Sequence, residues 1–259
     1  MFNGLYISAS GALTSMYRQD LLSNNLANIN TVGFKPDLAA VRQRAVVREE
    51  DGLQHQPSDE LLEQLGAGVQ LMPNRISFAQ GTLESTGNDL DFALEGDGFF
   101  VVQAASTEFG DRLRLTRDGR FAVSDNGELV NANGLPVIGT NGRPIRIDPA
   151  AGKLTVQPDG SIQQGGEIVG RFQITDIANR NALTKAGEGM FAAPPQAFED
   201  APQAAARVRQ GWLEKAAVSD ISALMRIQNA SGDARANMGL LSHYDRMLDR
   251  AINTFARTG

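Results

Sequence analysis

Leu22-Ser23-Asn24-Asn25-Leu26-Ala27-Asn28-Ile29-Asn30-Thr31-Val32-Gly33-Phe34-Lys35-Pro36 decides how this chain begins to fold. Asn24, Asn25, Asn28 and Asn30 are poor helix formers whose amides compete for backbone hydrogen bonds. Gly33 suits the left-handed conformation that stops a helix. Pro36 blocks continuation and pushes Lys35 toward extended geometry. The stretch reads as a helix terminus held by side-chain amides. Any three of these residues describe an ordinary polar helix end; the whole ordered string carries more.

Working outward, residues 1 to about 33 read as helical. Phe2, Leu5, Ala9, Ala12 and Met16 recur at three- and four-residue spacing, and the stripe resumes at Leu22, Leu26 and Ile29. The other end of the chain mirrors this. Leu224, Ile227, Ala234, Met238, Leu241, Leu248, Ile252 and Phe255 fall on one heptad a/d series, with Ser231 and Asp245 as its polar members. Such stripes are commonly the core face of a bundle. Here they flank a region of different character.

That region, about residues 68–210, is rich in strand signals. Phe99-Phe100-Val101-Val102 suits a buried strand, and alternation places Phe99 and Phe100 on opposite faces. Asp118-Gly119, Asn126-Gly127, Asn141-Gly142 and Asp159-Gly160 read as tight turns, because both residue types tolerate positive φ. Further strands are expected at residues 114–116, 120–123, 129–131, 136–138, 154–157 and 168–174. Residues 36–67 read as a linker or extended arm, with Arg42, Arg44 and Arg48 ahead of Glu49-Glu50-Asp51.

The composition narrows the function. The chain has 259 residues, 42% hydrophobic, with a net charge of -6 and no basic block, which argues against a nucleic-acid scaffold. It has no cysteine, so disulfides, zinc fingers and thiol catalysis are excluded. The N-terminus lacks the pattern of a secretory signal, and no apolar run approaches the ~20 residues of a membrane span. Alone, these absences read as a cytoplasmic soluble protein. His55 and His243 lie in different regions without the spacing of a helical zinc site. No nucleophile elbow, phosphate loop, dinucleotide fingerprint or calcium loop is present. Carboxylate pairs such as Asp89/Asp91 carry no specific signal. The reading is a non-enzyme with no cofactor and no metal.

Several ordered motifs resemble one family. Asn-Leu-Ala-Asn…Thr-x-Gly-Phe at Asn25–Phe34 is similar to bacterial flagellar axial proteins. Gly81-Thr82-Leu83-Glu84-Ser85-Thr86 and Leu90–Phe100 resemble the opening of the D1 domain of flagellar rod and hook proteins. So do Leu115-Thr116-Arg117-Asp118-Gly119-Arg120-Phe121, where Leu115 replaces a Tyr, and Asn133–Gly139. Gly211-Trp212-Leu213-Glu214 resembles the Gly-x-Leu-Glu that opens the last helix, and Asp245-Arg246-Met247-Leu248 its closing Asp-x-Met-Leu. There are departures. Ala216-Ala217-Val218 replaces the usual Ser-Asn-Val, and Gly232-Asp233-Ala234-Arg235 stands where an Arg-x-aromatic-Glu signature is usual. Gly33 to Arg42 is more similar to the proximal than to the distal rod members of the family.

The resemblance implies an α+β fold: a discontinuous, coiled-coil-like helical domain from both termini (1–35 and 211–259), with an inserted irregular all-β domain (68–210). It implies a structural subunit of the flagellar basal-body rod that polymerises through its terminal helices. It implies rod and hook subunits, further copies of itself and the flagellar export apparatus as partners, and passage through an export channel without a cleaved signal. No nucleic acid, small-molecule substrate or membrane insertion is expected. The alternatives are a distal rod or hook-type subunit, or a soluble β-rich binding module. The expected assembly interface is Leu5, Met16, Leu22, Leu26, Leu224, Ile227, Met238, Leu241, Leu248, Ile252 and Phe255. The terminus motif is Asn24, Asn25, Leu26, Ala27, Asn28, Thr31, Gly33 and Phe34. Interrupted stripes of this kind are marginal without tertiary cover, so both ends are expected to order on assembly.

Overall fold

A computed structural model describes residues 2–46, 49, 52, 55, 66–104, 113–199 and 204–256. The fold is α+β: a helix at each end and β-structure between them. Helix α1 spans Phe2–Ala27 and is succeeded by β1 (Asp37–Gln43) and β2 (Val69–Ile76), which pair as a two-stranded ribbon. Then come β3 (Leu83–Ser85), β4 (Phe92–Glu95), β5 (Phe99–Gln103), β6 (Leu113–Thr116), β7 (Phe121–Val123) and β8 (Leu129–Asn131). Next are β9 (Leu154–Val156), β10 (Ser161–Gln164), β11 (Glu167–Arg171), β12 (Ile174–Thr175), β13 (Thr184–Gly187) and β14 (Met190–Ala192). A short α2 (Pro195–Glu199), β15 (Arg207–Gln210), β16 (Trp212–Glu214) and the long α3 (Asp220–Ala256) complete the order.

Two compact units result. One holds residues 1–27, 37–75 and 219–259; the other holds residues 28–36 and 76–218.

The β unit is built on a five-stranded sheet ordered β12-β5-β6-β14-β13, with the smaller groups β11-β10-β9, β15-β4, β16-β3 and β7-β8. Phe99 and Phe100 are both fully buried, on opposite faces as alternation requires. Phe100 packs with Phe92, Phe121, Leu129 and Phe172. Phe99 packs with Leu115, Ile138, Ile177 and Phe191. The sheet is covered on both sides, which explains the continuous apolar run at residues 99–102. The C-terminal strands close the unit across long sequence separations: β15 pairs β4 and β16 pairs β3, both antiparallel.

The Asx-Gly turns are of more than one kind. Asn126-Gly127 links the paired β7 and β8, and Asp159-Gly160 links the paired β9 and β10. Asn141-Gly142 closes a narrow loop in which the Gly139 amide donates to the Arg143 carbonyl. Asp118-Gly119 is not a hairpin turn: β6 pairs with β5 and β14, never with β7. Gly119 instead lets the chain cross the Phe92 carbonyl so closely that a side chain would collide with it.

The helix ends also differ from expectation. α1 stops at Ala27, six residues before Gly33. Asn25 is buried there and pairs with the Asp37 backbone, accepting from its N–H at 3.0 Å and donating to its carbonyl at 2.8 Å. Gly33 has φ 67, yet it serves a close backbone approach rather than a helix cap. Glu214 does not open the last helix. It ends β16, and α3 begins at Asp220.

Candidate assembly surfaces and the buried ion cluster

In the helical unit, α1 and α3 pack along one another with small residues at the contact. A Cβ on Gly4 would run into the Tyr244 ring, and one on Gly11 would lie 2.9 Å from Asn237 Oδ1. The two pairs are both seven residues apart, in opposite directions, so the helices run antiparallel in heptad step. Ser8, Ala12 and Ser15 are buried on α1, and Ala223, Ala230 and Ala234 on α3. The covered face of α3 therefore runs through 223, 227, 230, 234, 237, 241, 244, 248 and 251.

The expected a/d series divides between this face and the outside. Ile227, Leu241 and Leu248 are half-buried on that face and Ala234 is buried, whereas Leu224 (51% exposed), Met238 (45%) and Ile252 (64%) point out of it. The sequence pattern selects Leu224 and Met238; the covered face instead takes the smaller Ala223 and Asn237 one position earlier, and at its other end Tyr244 stands over Gly4. On α1, Met16 is 44% exposed, and Leu5, Leu22 and Leu26 are half-buried. The Phe255 side chain lies outside the described residues.

Among the described residues, the buried apolar side chains of this unit are Ala12, Leu21, Ala223, Ala230 and Ala234. Its large apolar residues are largely on the outside: Tyr6, Leu13, Ile221, Met225, Leu240 and Met247 join those above. The β1–β2 ribbon adds exposed Leu38, Val41, Leu71 and Met72. The β unit contributes only Ile168 and Val169 to the exposed large apolar set among the described residues. Large apolar side chains left outside in this number make the helical unit the candidate contact region.

The terminus motif turns into specific contacts. Asn28 accepts from the Thr31 amide at 3.0 Å and from its hydroxyl at 3.3 Å. Asn24 and Ala27 are exposed. Phe34 is buried under the Lys185 ammonium, 4.5 Å from its ring centre.

Lys35, Arg117 and Glu214 meet in the interior of the β unit, each essentially without solvent contact. Glu214 Oε1 accepts from Lys35 Nζ at 2.6 Å and from the Gly81 amide at 2.8 Å, and Oε2 accepts from Arg117 Nη1 at 3.2 Å. The Glu214 carbonyl accepts from the Gly33 amide at 2.7 Å. Lys35 also donates to the Ala79 carbonyl and Arg117 to the Gly96 carbonyl, each at 2.8 Å. The Arg117 guanidinium lies 5.3 Å from the Phe99 ring centre, and its Nε has no partner. Burial pulls Lys35 and Arg117 below their ordinary pKa values, against the opposing pull of Glu214. Each residue sits in a separate sequence motif, Gly-Phe-Lys, Thr-Arg-Asp-Gly and Gly-Trp-Leu-Glu. Sequence reasoning singled out the motifs without joining them.

Among the described residues, no three His, Asp or Glu side chains gather as a metal site, and no helix is long and apolar enough to cross a membrane. His55 and His243 are both exposed. An open groove beside Pro158, Ile174 and Ala204–Arg207 has Asp159 and Arg171 as a mutual ion pair at 3.4 Å and holds no nucleophile and base together.

Two family models match the chain: the flagellar hook protein FlgE/F/G D1 domain over residues 93–164, and the flagella basal body rod protein over residues 5–35. The chain is 35% identical over 239 residues to the flagellar basal-body rod protein FlgF of Caulobacter vibrioides, covering 89% of each. It is 30% identical over 260 residues to that of Rhizobium meliloti, covering 98% of each. Against the rod protein FlgG of Buchnera aphidicola subsp. Baizongia pistaciae it is 28% identical over 273 residues, covering 96% of this chain and 98% of the relative.

Proposed function

We propose a function on one premise: this chain belongs to the flagellar basal-body rod protein family. It is a structural subunit of the flagellar basal body. It polymerises with copies of itself and with neighbouring rod and hook subunits into the axial shaft. The observation that carries this reading is the helical unit, whose own seam consumes Gly, Ser and Ala while Leu224, Met238, Ile252 and Met16 face outward. A helical pair that buries so little apolar area is weak alone and gains a core from its neighbours. Repeated head-to-tail contacts of this kind give an open helical filament rather than a closed ring.

The expected interface residues divide accordingly. Leu224, Met238, Ile252 and Met16 contact other subunits. Ile227, Leu241 and Leu248 hold the α1–α3 seam and contact neighbours at its rim. Both helices order fully on assembly. The chain reaches the basal body through the flagellar export apparatus without a cleaved signal, and occupies the part of the rod that crosses the periplasm. Identities of 35% and 30% to two FlgF relatives, against 28% to a FlgG relative, support the proximal rod position. Deleting the gene and isolating basal bodies tests the reading: the rod is expected to be truncated and the cells non-motile. Complete rods in the deletion strain would contradict it.

A further inference from the structure

The β unit contains two cations and one anion that are sealed from water together, and the anion arrives from far along the chain. Lys35 lies beyond the end of α1, and Glu214 precedes α3 at a sequence separation of 179 residues. Arg117 directly succeeds β6, and its guanidinium covers Phe99 of β5. The β5–β6 pair is local by comparison: Phe100 opposes Thr116 and Val101 opposes Leu115. Its amides would be expected to pair early, because closing a shorter loop costs less entropy.

We propose that Glu214 is a closure latch, which prevents the β5–β6 region from reaching its native packing until the segment before α3 has docked. The argument is electrostatic. In the folded unit Arg117 lies against the Phe99 ring and Lys35 against the Ala79 carbonyl, both out of water. Without Glu214 both cations are buried with only backbone carbonyls as partners, which is strongly unfavourable. Asp97, whose charge also acts on Arg117, is exposed and already bridged to Arg180 at 3.1 Å. Asp176 is bound to the same Arg180 at 2.9 Å. Neither replaces the missing anion.

Docking of β16 delivers everything at once. Glu214 neutralises Lys35, binds Arg117, caps the Gly81 amide and takes the Gly33 amide on its carbonyl. Next to it, the Lys215 amide donates to the Thr82 carbonyl at 2.9 Å, and Gly81 packs on the Lys215 carbonyl too closely for any side chain. A chain of this design stays open while either residue 35 or residue 214 is still held in a narrow channel. That use rests on the export reading above; the latch itself does not.

The test is refolding of the full-length chain from urea with pulsed hydrogen-exchange labelling. The β5–β6 amides are expected to gain protection in step with the Gly33 and Gly81 amides. In Glu214→Gln they are expected to do so at least tenfold more slowly, with the unfolded-to-folded ratio at equilibrium raised roughly a hundredfold or more. Glu128→Gln, at an exposed pair with Arg146 in the same unit, is expected to refold like the wild type. If Glu214→Gln does not fold at all, the wild-type labelling decides alone. Protection of β5–β6 well ahead of Gly33 and Gly81 in the wild type would overturn the latch. So would unchanged refolding and stability in Glu214→Gln.

Discussion

Replacing Gly4 by Ala places a methyl group where the Tyr244 ring already stands. The added Cβ would meet the Tyr244 hydroxyl and lie 2.7 Å from Cζ and 3.2 Å from Cε1. The atoms met are at the far end of the Tyr244 side chain, so relief takes a turn of the ring away from α1 or a parting of the helices. Gly→Ala within a helix gains ~0.5–1 kcal/mol, while overpacking costs ~1–3 kcal/mol. The net expectation is a loss of up to ~2.5 kcal/mol. Gly11→Ala meets the Asn237 amide at 2.9–3.1 Å, the far end of a flexible side chain. It can swing aside by losing its bond to the Asp233 carbonyl, so the change is close to neutral. Gly232 on α3 has nothing within 4 Å, so its Ala variant gains the full helix term of ~0.5–1 kcal/mol. Urea unfolding of the dilute chain, monitored through hydrogen exchange of α1 and α3 amides, ranks the three. The order Gly232→Ala, Gly11→Ala, Gly4→Ala from most to least stable is expected. A Gly4→Ala chain as stabilised as Gly232→Ala would refute the register of the helical pair.

Phe100→Ala is expected to destabilise the β unit by ~3–5 kcal/mol in a chemical melt, because the ring is fully buried against Phe121 and Phe172 at 5.2 and 5.4 Å. Limited proteolysis of the dilute chain is expected to remove α1 and α3 first and leave a resistant fragment centred on the β unit. Asp97 gives a pH test. The hydrogen bond from Arg180 holds its carboxyl below the ordinary 3.8, so its contribution is present above 3.8 and is lost as pH falls through the folded value. Because the side chain is 68% exposed, Asp97→Asn is expected to lower stability at neutral pH by less than ~1 kcal/mol. The difference should vanish once both forms are uncharged in acid.

The architecture was legible where a local rule acts on local residues. Phe99 and Phe100 announce a strand covered on both faces, and Asn126-Gly127 announces a hairpin. Asp118-Gly119 shows the limit: the turn chemistry is right, but strand partners are chosen by the whole sheet. The α3 seam shows another. Heptad reading weighs apolar size, so it selects Leu224 and Met238, whereas the face packed along α1 carries Ala223, Ala230, Asn237 and Tyr244. Gly33 has the positive φ that its residue type suggests, yet the helix ends earlier, at Ala27, with Asn25 in its last turn bonded to the Asp37 backbone. The ion cluster lay beyond reach, since nothing local in Gly-Phe-Lys or Gly-Trp-Leu-Glu signals a partner far along the chain. A lysine, an arginine and a glutamate held within otherwise apolar motifs were the available hint.

Under the proposed function, assembly runs through the outward apolar face of the helical unit. Met238 is the sharpest probe, because it is exposed and lies outside the α1–α3 seam, unlike Leu248. The measurement is the amount of this protein recovered in purified basal bodies from cells carrying Met238→Asp, compared with Arg250→Glu on the exposed surface of the same helix. Met238→Asp is expected to leave the monomer's melt unchanged yet be absent from basal bodies, while Arg250→Glu is incorporated normally. Incorporation of Met238→Asp at the wild-type level would contradict it.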